Sequence, residues 1–286
     1  GRGGRRGALP RLRDRVRRFI AAKFAEIVER TELIDTLISL AEDFVADGGW
    51  PASWVAVRRA IRFIADKRRP EDSTKLEAFA AKLKPESLEQ KIGVYLLPED
   101  SSPLDIVDLE FDDNDRYQAA IAASQAISVD IGRELATDEE ALTRLLPTLF
   151  ASRSQRVWQV GRTIGSETRE PEKIWRRLVP AFLEAMANGK RASLMGAFLS
   201  GLAERDRDLT GKLLDEALEA TELQRFFVHF QSSAGVDDEG AERLKRAVAI
   251  DNVPIESFAA LACGRCCDDV GSATFRELVS TISQRA

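Results

Sequence analysis

Two apolar segments thirty-three residues apart share one pattern of charged, aliphatic and proline residues. The chain reads ALTRLLPTLF at positions 141–150 and IWRRLVPAFL at positions 174–183. The matching residues are Arg144 with Arg177, Leu145 with Leu178, and Pro147 with Pro180. A proline at the same position of two apolar segments indicates a repeated structural unit, and this repeat constrains the fold more than any other feature of the sequence.

Three further segments extend the repeat. Aligning the first helix of each unit on one leucine gives spacings of 33, 35, 31 and 34 residues. We call these residues the anchor leucines: Leu145, Leu178, Leu213, Leu244 and Leu278. A second apolar segment that ends at glycine or another small residue lies between successive anchors, so each unit is predicted to be helix, turn, helix. A period of ~20 to 50 residues is typical of a solenoid, in which neighbouring units stack to bury their apolar faces.

Composition favours an all-α fold for the whole chain. Hydrophobic residues make up 44% and charged residues 31% of the 286 residues, which suits a packed protein rather than a disordered one. Residues that favour helices dominate, and the alternation of aromatic and β-branched residues that favours strands is nearly absent.

The stretch LLPTLFASRSQRVWQVGRTIG at positions 145–165 resembles a HEAT repeat. In that family the first helix often carries a proline bend after paired aliphatic residues, and the second helix packs through small residues. The resemblance is clearest over 138–204, and it implies a right-handed α-α superhelix of HEAT-like helical repeats. The period is shorter than the ~40 to 47 residues usual for that family. Asp215, Arg246 and Ser280 occupy the proline position in the later units.

The sequence divides into four predicted regions. These are a flexible basic linker at 1–9, an N-terminal helical region at 10–90, an irregular acidic insertion at 91–115, and HEAT-like helical repeats at 116–286 with the last repeat incomplete. Helices of the N-terminal region are expected at about 10–30, 31–46, 51–67 and 73–84, the last after the capping residues Asp72 and Ser73. The insertion opens with KIGVYLL, which indicates a short β-like or buried apolar run.

Charge is unevenly distributed along the chain. Residues 1–23 hold eight arginines and one lysine against one acid, whereas the whole chain has a net charge of -5. The basic segment suits contact with a polyanion through Arg11, Arg13, Arg15, Arg17 and Arg18. The acidic remainder of the chain would repel nucleic acid, so a solvated or salt-bridged helix face is the preferred interpretation.

The acidic insertion contains FDDND, with Asp112, Asp113 and Asp115. Their spacing does not match the alternating carboxylates and central glycine of a calcium-binding EF-hand loop. We interpret them as a solvated loop, with contact to a basic partner as the functional alternative.

Cys263, Cys266 and Cys267 together with His229, the single histidine, supply the ligand types of a Cys₃His zinc site. A second pair at metal-binding spacing is missing, so packing is the preferred interpretation of all four side chains. The sequence also lacks a Gly-x-Ser-x-Gly elbow, an HExxH motif and a phosphate-binding glycine loop. We therefore predict no catalytic residues, no cofactor and no metal.

These features predict a cytoplasmic, non-catalytic scaffold or sensor that binds another protein or another domain of its own polypeptide. No apolar run is long enough to span a bilayer, so no membrane partner is expected. Similar helical arrays form the sensor portions of large bacterial signalling or defence NTPases, and the resemblance implies such a multidomain context. The first alternative is a nucleic-acid-binding repeat protein, and the second is an enzyme that uses the acidic insertion or the cysteine cluster.

The apolar pattern of the last predicted helix indicates that the chain is part of a longer protein. Residues 272–283 match the first helix of a fifth unit, with Phe275, Leu278, Val279 and Ile282 on one apolar stripe. Solenoids need a terminal cap with a polar outer face. Further helical repeats are therefore expected downstream, and a catalytic or nucleotide-binding domain upstream.

Overall fold

A computed structural model describes residues 34–46, 53–64, 70–97, 102–107, 116–189, 193–262 and 265–285. Within these ranges every regular element is a helix, so the predicted all-α fold is confirmed for this part of the chain. The chain divides into two units, Gly1–Ile127 and Ser128–Ala286, and the division lies within one long helix.

The helices of the first unit pack around a small apolar core. They are α1 (Ile34–Ala46), α2 (Ser53–Ile64) and α3 (Pro70–Leu83). The core includes Ile34, Leu37, Val57, Leu76 and Phe79. At the surface, Lys75 Nζ lies 2.8 Å from Asp35 Oδ1 and links α3 to α1.

The run KIGVYLL is mostly buried and helical. A short helix, α4 (Leu88–Lys91), leads into a π-helix at Ile92–Leu96 whose residues are all buried. The Tyr95 ring meets the Trp54 ring edge-on, with centroids 5.6 Å apart. The apolar sequence therefore reflects burial and not a β-strand. Helix α5 (Pro103–Ile106) follows and packs against α2.

Helix α6 (Arg116–Thr137) contains the division between the units, so its residues from Ser128 onward belong to the second. The second unit continues with α7 (Glu139–Ala151), α8 (Arg156–Glu167), α9 (Pro171–Ala187), α10 (Ser193–Arg205), α11 (Arg207–Glu219), α12 (Thr221–Gln224), α13 (Phe227–Ala234), α14 (Asp238–Val248), a 3-10 helix (Ile255–Ala262) and α15 (Ser272–Arg285).

Every anchor leucine lies in a helix and is buried. The exposed fractions are 6% for Leu145, 1% for Leu178, 2% for Leu213, 0% for Leu244 and 0% for Leu278. Their helices are α7, α9, α11, α14 and α15, which we call the first-helix row. The second-helix row consists of α6 from residue 128 onward, α8, α10, α13 and the 3-10 helix.

Several neighbouring helices within each row pack on one another. In the first-helix row α7 contacts α9, α11 contacts α14, and α14 contacts α15. In the second-helix row α8 contacts α10, α10 contacts α13, and α13 contacts the 3-10 helix. These equivalent helices of successive units are therefore adjacent in space.

An aspartate begins several helices of the first-helix row. The Asp138 carboxylate accepts a hydrogen bond from the Ala141 N–H at 2.9 Å, and Asp206 and Asp237 cap α11 and α14 in the same way. Each aspartate precedes its anchor leucine by seven residues. Because an N-cap carboxylate satisfies an unpaired N–H and faces the positive end of the helix dipole, the repeated residue fixes where these helices start.

Candidate recognition surface

The second-helix row is packed through glycine. A Cβ atom added at Gly165 of α8 would lie 2.1 Å from the carbonyl oxygen of Phe198, and one added at Gly201 of α10 would lie 1.8 Å from that of Arg162. A methyl group does not fit at such distances, so both positions require glycine. The backbones of α8 and α10 are therefore in direct contact.

Close packing continues on both sides of this pair. A Cβ atom added at Gly132 of α6 would lie 2.6 Å from Thr163 Cβ, and one added at Gly196 of α10 would lie 2.5 Å from Ser233 Oγ of α13. Helices α6, α8, α10 and α13 thus approach one another at glycine positions.

Larger side chains lie between helices of the first-helix row. Between α7 and α9, the ring centroids of Phe150 and Phe182 are 6.1 Å apart. At the surface, Lys173 Nζ and Arg177 Nε lie 2.5 and 3.2 Å from the Glu139 carboxylate, and the hydrogen bond from Lys173 lowers the pKa of Glu139. Helices held apart by such side chains have more distant axes than helices in backbone contact.

Ion pairs join successive helices of the second-helix row. Arg162 Nε of α8 donates to Glu204 Oε1 of α10 at 2.7 Å, and Arg162 Nη2 donates to Glu204 Oε2 at 2.8 Å. These hydrogen bonds raise the pKa of Arg162. One unit earlier, Arg133 Nε of α6 lies 3.3 Å from Glu167 Oε1 of α8. Two-point arginine–carboxylate pairing fixes the orientation of both side chains.

A second charge cluster joins α11 to α14 in the first-helix row. Asp215 accepts hydrogen bonds from Arg243 Nε at 3.2 Å and from Arg246. Burial alone would raise the pKa of Asp215, but the two guanidinium groups outweigh burial and lower that pKa. The Arg243 side chain is only 12% exposed, so this cluster belongs to the packing between the two helices.

A polar cleft of about 440 Å³ opens at the C-terminal ends of α10 and α13. We call it the serine cleft, and its lining includes Ser200, Ala203, Glu204, Arg207, Ser232 and Ser233. Arg207 Nη1 is held 3.0 Å from Asp237 Oδ2, as Glu204 is held by Arg162. Hydroxyl, carboxylate and guanidinium groups therefore offer donors and acceptors from side chains that are already oriented.

A smaller cleft of about 330 Å³ lies at the N-terminal ends of α8 and α10. Its lining consists of Arg153, Ser154, Gln155, Trp158 and Ser193. An indole ring beside polar groups is a common anchor point for protein partners. The second-helix row thus carries one cleft at each end of α10.

His229 lies half-buried in α13, with its ring 6.3 Å from that of Phe230. Its Nε2 atom is 3.1 Å from the position that a Cβ at Gly196 would take, so the imidazole packs against α10.

Cys266 and Cys267 are thiols, and their Sγ atoms contact each other at 3.8 Å. Burial and the neighbouring Cys266 raise the pKa of Cys267 to about 11, so this thiol is protonated and weakly nucleophilic at neutral pH. Cys263 lies outside the described residues. Among the residues that the structure does describe, no group of three His, Cys, Asp or Glu side chains could hold a metal ion.

The charged residues singled out in the sequence are not among those that the structure describes. The five arginines Arg11, Arg13, Arg15, Arg17 and Arg18 and the aspartates Asp112, Asp113 and Asp115 all lie outside the described residues, and their contacts stay predictions. Sequence reasoning missed the serine cleft, since serine has no strong positional signal. The four-residue spacing of Gly161 and Gly165 was a signal for close helix packing.

In comparisons with known proteins, no family model, curated protein or solved structure matches the chain. The resemblance to HEAT repeats therefore rests on the quoted residues alone. Among the described helices, none is both long and apolar enough to cross a membrane.

Proposed function

We propose that residues 128–286 form a HEAT-like right-handed superhelix that acts as a protein-interaction scaffold, with the second-helix row as its binding side. The observation that carries this proposal is the difference between the two rows. Backbones touch at Gly165 and Gly201 in the second-helix row, whereas Phe150 and Phe182 stand between helices of the first. A stack whose units are closer on one side curves toward that side, and repeat proteins use such concave surfaces to bind partners.

The chemistry of the serine cleft supports a peptide segment as the ligand. A polypeptide backbone offers alternating N–H donors and C=O acceptors, which the hydroxyls of Ser200 and Ser233 and the carboxylate of Glu204 can satisfy. Glu204 is already oriented by Arg162, so little side-chain entropy is lost on binding. The segment belongs to another protein or to another domain of the same polypeptide.

The wider context stays a prediction. A cytoplasmic location and a sensor role beside an NTPase domain come from the sequence pattern. Nucleic-acid binding depends on the arginines before residue 20, which lie outside the described residues. Enzymatic use of the acidic insertion depends on residues that also lie outside them.

A peptide-display selection against the full chain tests the binding side. Ala203 lines the serine cleft on α10, and Ala187 is an exposed residue at the end of α9, so Ala203→Trp fills the cleft and Ala187→Trp is the matched control. We expect selected peptides to lose about tenfold or more in affinity for Ala203→Trp, a loss of at least ~1.4 kcal/mol. They should bind Ala187→Trp as they bind the wild type.

Both variants must first show wild-type circular dichroism and thermal melting. Peptides that bind the two variants equally would place recognition away from the serine cleft. A selection that enriches no peptide at all would count against a peptide-binding scaffold.

A further inference from the structure

We propose that the smaller cleft, at the N-terminal ends of α8 and α10, binds a carboxylate side chain, an aspartate or a glutamate of a bound peptide segment. We call it the arginine cleft, and its lining consists of Arg153, Ser154, Gln155, Trp158 and Ser193. This role of the cleft rests on the proposed function, in which a peptide segment lies on the second-helix row.

Arg153 is an exposed arginine at the start of α8. Its guanidinium makes no salt bridge or hydrogen bond with any residue that the structure describes. Arg133 and Arg162 of the same row, by contrast, are each held by a carboxylate of the next helix. Arg153 therefore keeps all of its N–H donors for a ligand.

The groups around Arg153 are also hydrogen-bond donors. Trp158 offers an indole N–H and no acceptor, and Ser193 offers a hydroxyl. Ser154 is only 9% exposed, and its Oγ already accepts a hydrogen bond from the Arg156 N–H at 3.3 Å, so its hydroxyl hydrogen remains available to donate. None of the described residues that line the cleft is acidic. A cleft with these donors and no carboxylate of its own fits a negatively charged acceptor.

The backbone N–H groups at the start of α8 are already used. The Val157 N–H donates to the Ser154 carbonyl at 3.2 Å, and the Trp158 N–H donates to the Gln155 carbonyl at 3.1 Å. A phosphate or a chain-terminal carboxylate bound at a helix start is normally held by such N–H groups. Recognition in the arginine cleft therefore depends on side chains, and an arginine pairs with a side-chain carboxylate through two parallel hydrogen bonds.

A singly charged carboxylate matches the cleft better than a phosphate group does. Phosphorylated side chains carry about two negative charges at neutral pH and are usually held by clusters of arginines. Arg153 is the one cationic side chain among the described residues that line the cleft. The Trp158 ring adds an apolar surface, against which the aliphatic stem of a glutamate or a neighbouring apolar side chain of the peptide packs.

The two clefts share one face of α10, so one peptide can reach both. Ser193 lines the arginine cleft and Ser200, seven residues later, lines the serine cleft. Seven residues place the two side chains within about 20° of each other around the helix and about 10 Å apart along it. Because an extended peptide advances about 3.3 Å per residue, we expect the acidic residue about three positions from the part of the peptide that contacts Ser200.

NMR of the full chain with ¹⁵N-labelled indoles measures carboxylate binding without any selected peptide. The chain has four tryptophans, and Trp158→Phe identifies the Trp158 signal. The probes are N-acetyl-glutamate N-methylamide, its neutral glutamine analogue and the corresponding phosphoserine compound. We expect the glutamate probe to shift the Trp158 signal in the millimolar range, the other two probes to bind more weakly, and Arg153→Gln to abolish the shift.

Charge reversal tests the same site with short linear peptides selected by display against the full chain and then synthesised with acetylated and amidated ends. We expect aspartate or glutamate to be enriched at one position of these peptides. Arg153→Glu should weaken their binding about tenfold or more, because like charges then face each other. Replacing that acidic residue of the peptide by lysine should restore binding to Arg153→Glu.

Lys212→Glu is the matched control. Lys212 is exposed on α11 of the first-helix row, and its replacement changes the net charge of the chain by the same amount. Peptide affinity for Lys212→Glu should equal that for the wild type. Both variants must keep the circular dichroism and thermal melting of the wild type.

The two experiments separate the carboxylate site from the proposed function. Peptides that lose affinity for Ala203→Trp but bind Arg153→Glu like the wild type would overturn the carboxylate site and leave the scaffold standing. If no peptide is enriched while the glutamate probe still shifts the Trp158 signal, the carboxylate site is retained and the peptide scaffold is rejected. A Trp158 signal that responds equally to the glutamate and glutamine probes, or to the phosphoserine probe alone, overturns the carboxylate site.

Discussion

Individual glycines decide how closely neighbouring helices of residues 128–286 approach one another. From the sequence, glycines were expected to end the second helix of each repeat. In the structure α8 continues past Gly165 to Glu167, and Gly201 lies within α10. The expectation was wrong for these two helices, whereas α13 ends at Ala234, directly before Gly235, as predicted. The role of a glycine depends on the backbone that faces it, and the sequence does not show that partner. The anchor leucines, by contrast, are buried as an apolar period predicts.

Replacing Gly201 by alanine should destabilise the protein by at least about 2 kcal/mol, since the added methyl group overlaps the Arg162 carbonyl at 1.8 Å. Gly189→Ala is the control: nothing lies within 4 Å of its added Cβ, but its φ of 69° is unfavourable for alanine and should cost about 1 kcal/mol. Urea unfolding of both variants measures the difference. A Gly189→Ala loss equal to that of Gly201→Ala would show that the helices can separate freely.

Helix boundaries follow local signals that the sequence shows in part. The predicted start of α3 after Asp72 and Ser73 was wrong, because the helix begins at Pro70, and proline is favoured in a first helical turn. The aspartates seven residues before the anchor leucines are a clearer signal that alignment of the repeats would have revealed. The β-like alternative for KIGVYLL failed for a different reason, since a short buried run does not by itself distinguish strand from helix.

Removing the N-cap of α11 should cost about 1 kcal/mol. In Asp206→Ala the Leu209 N–H loses the acceptor that lies 2.9 Å away, whereas Asp206→Asn keeps a side-chain oxygen at the same place. Thermal unfolding should therefore show a lower midpoint for the alanine variant and a smaller change for the asparagine variant. Equal losses for the two would assign the effect to charge rather than to capping.

The charge cluster between α11 and α14 should make stability fall in acid. The folded state lowers the pKa of Asp215 below its ordinary value of 3.8. The cluster therefore stabilises the fold fully at pH values above 3.8. This contribution is lost as the pH falls through the lowered pKa. Asp215→Asn should cost roughly 0.5 to 1 kcal/mol at pH 7, since the carboxylate is 37% exposed and solvent screens the pairing, and much less once acid has protonated the wild type. Urea unfolding along a pH series checks this, with the exposed turn variant Asp251→Asn as the control. A cost that does not change with pH would contradict it.

At the scale of the whole molecule, the helical class and the burial of the anchor leucines were predictable from the sequence, and the surface was not. Five anchors and their spacing indicate which helices are equivalent, because burial imposes a period on the sequence. The serine cleft forms where the ends of α10, α11 and α13 meet. Packing between repeats sets this arrangement, and it leaves no periodic pattern in the sequence. Sequence analysis therefore placed candidate function in charge clusters, whereas the serine cleft of the described surface is lined by serines and paired charges.

The proposed superhelix implies that stability in residues 128–286 falls from α8 and α10 toward α15, because each repeat of such a protein is stabilised by its neighbours. In α10, Leu194, Phe198 and Leu199 are at most 1% exposed, whereas Leu278 is the one buried residue of α15. Hydrogen–deuterium exchange should thus be fastest in α15 and slowest in α8 and α10. Leu278→Ala should speed exchange in α14 and α15 and leave α8 and α10 unchanged. If all these helices exchange together in both proteins, the unit opens as one cooperative block, and its repeats do not behave as nearest-neighbour modules.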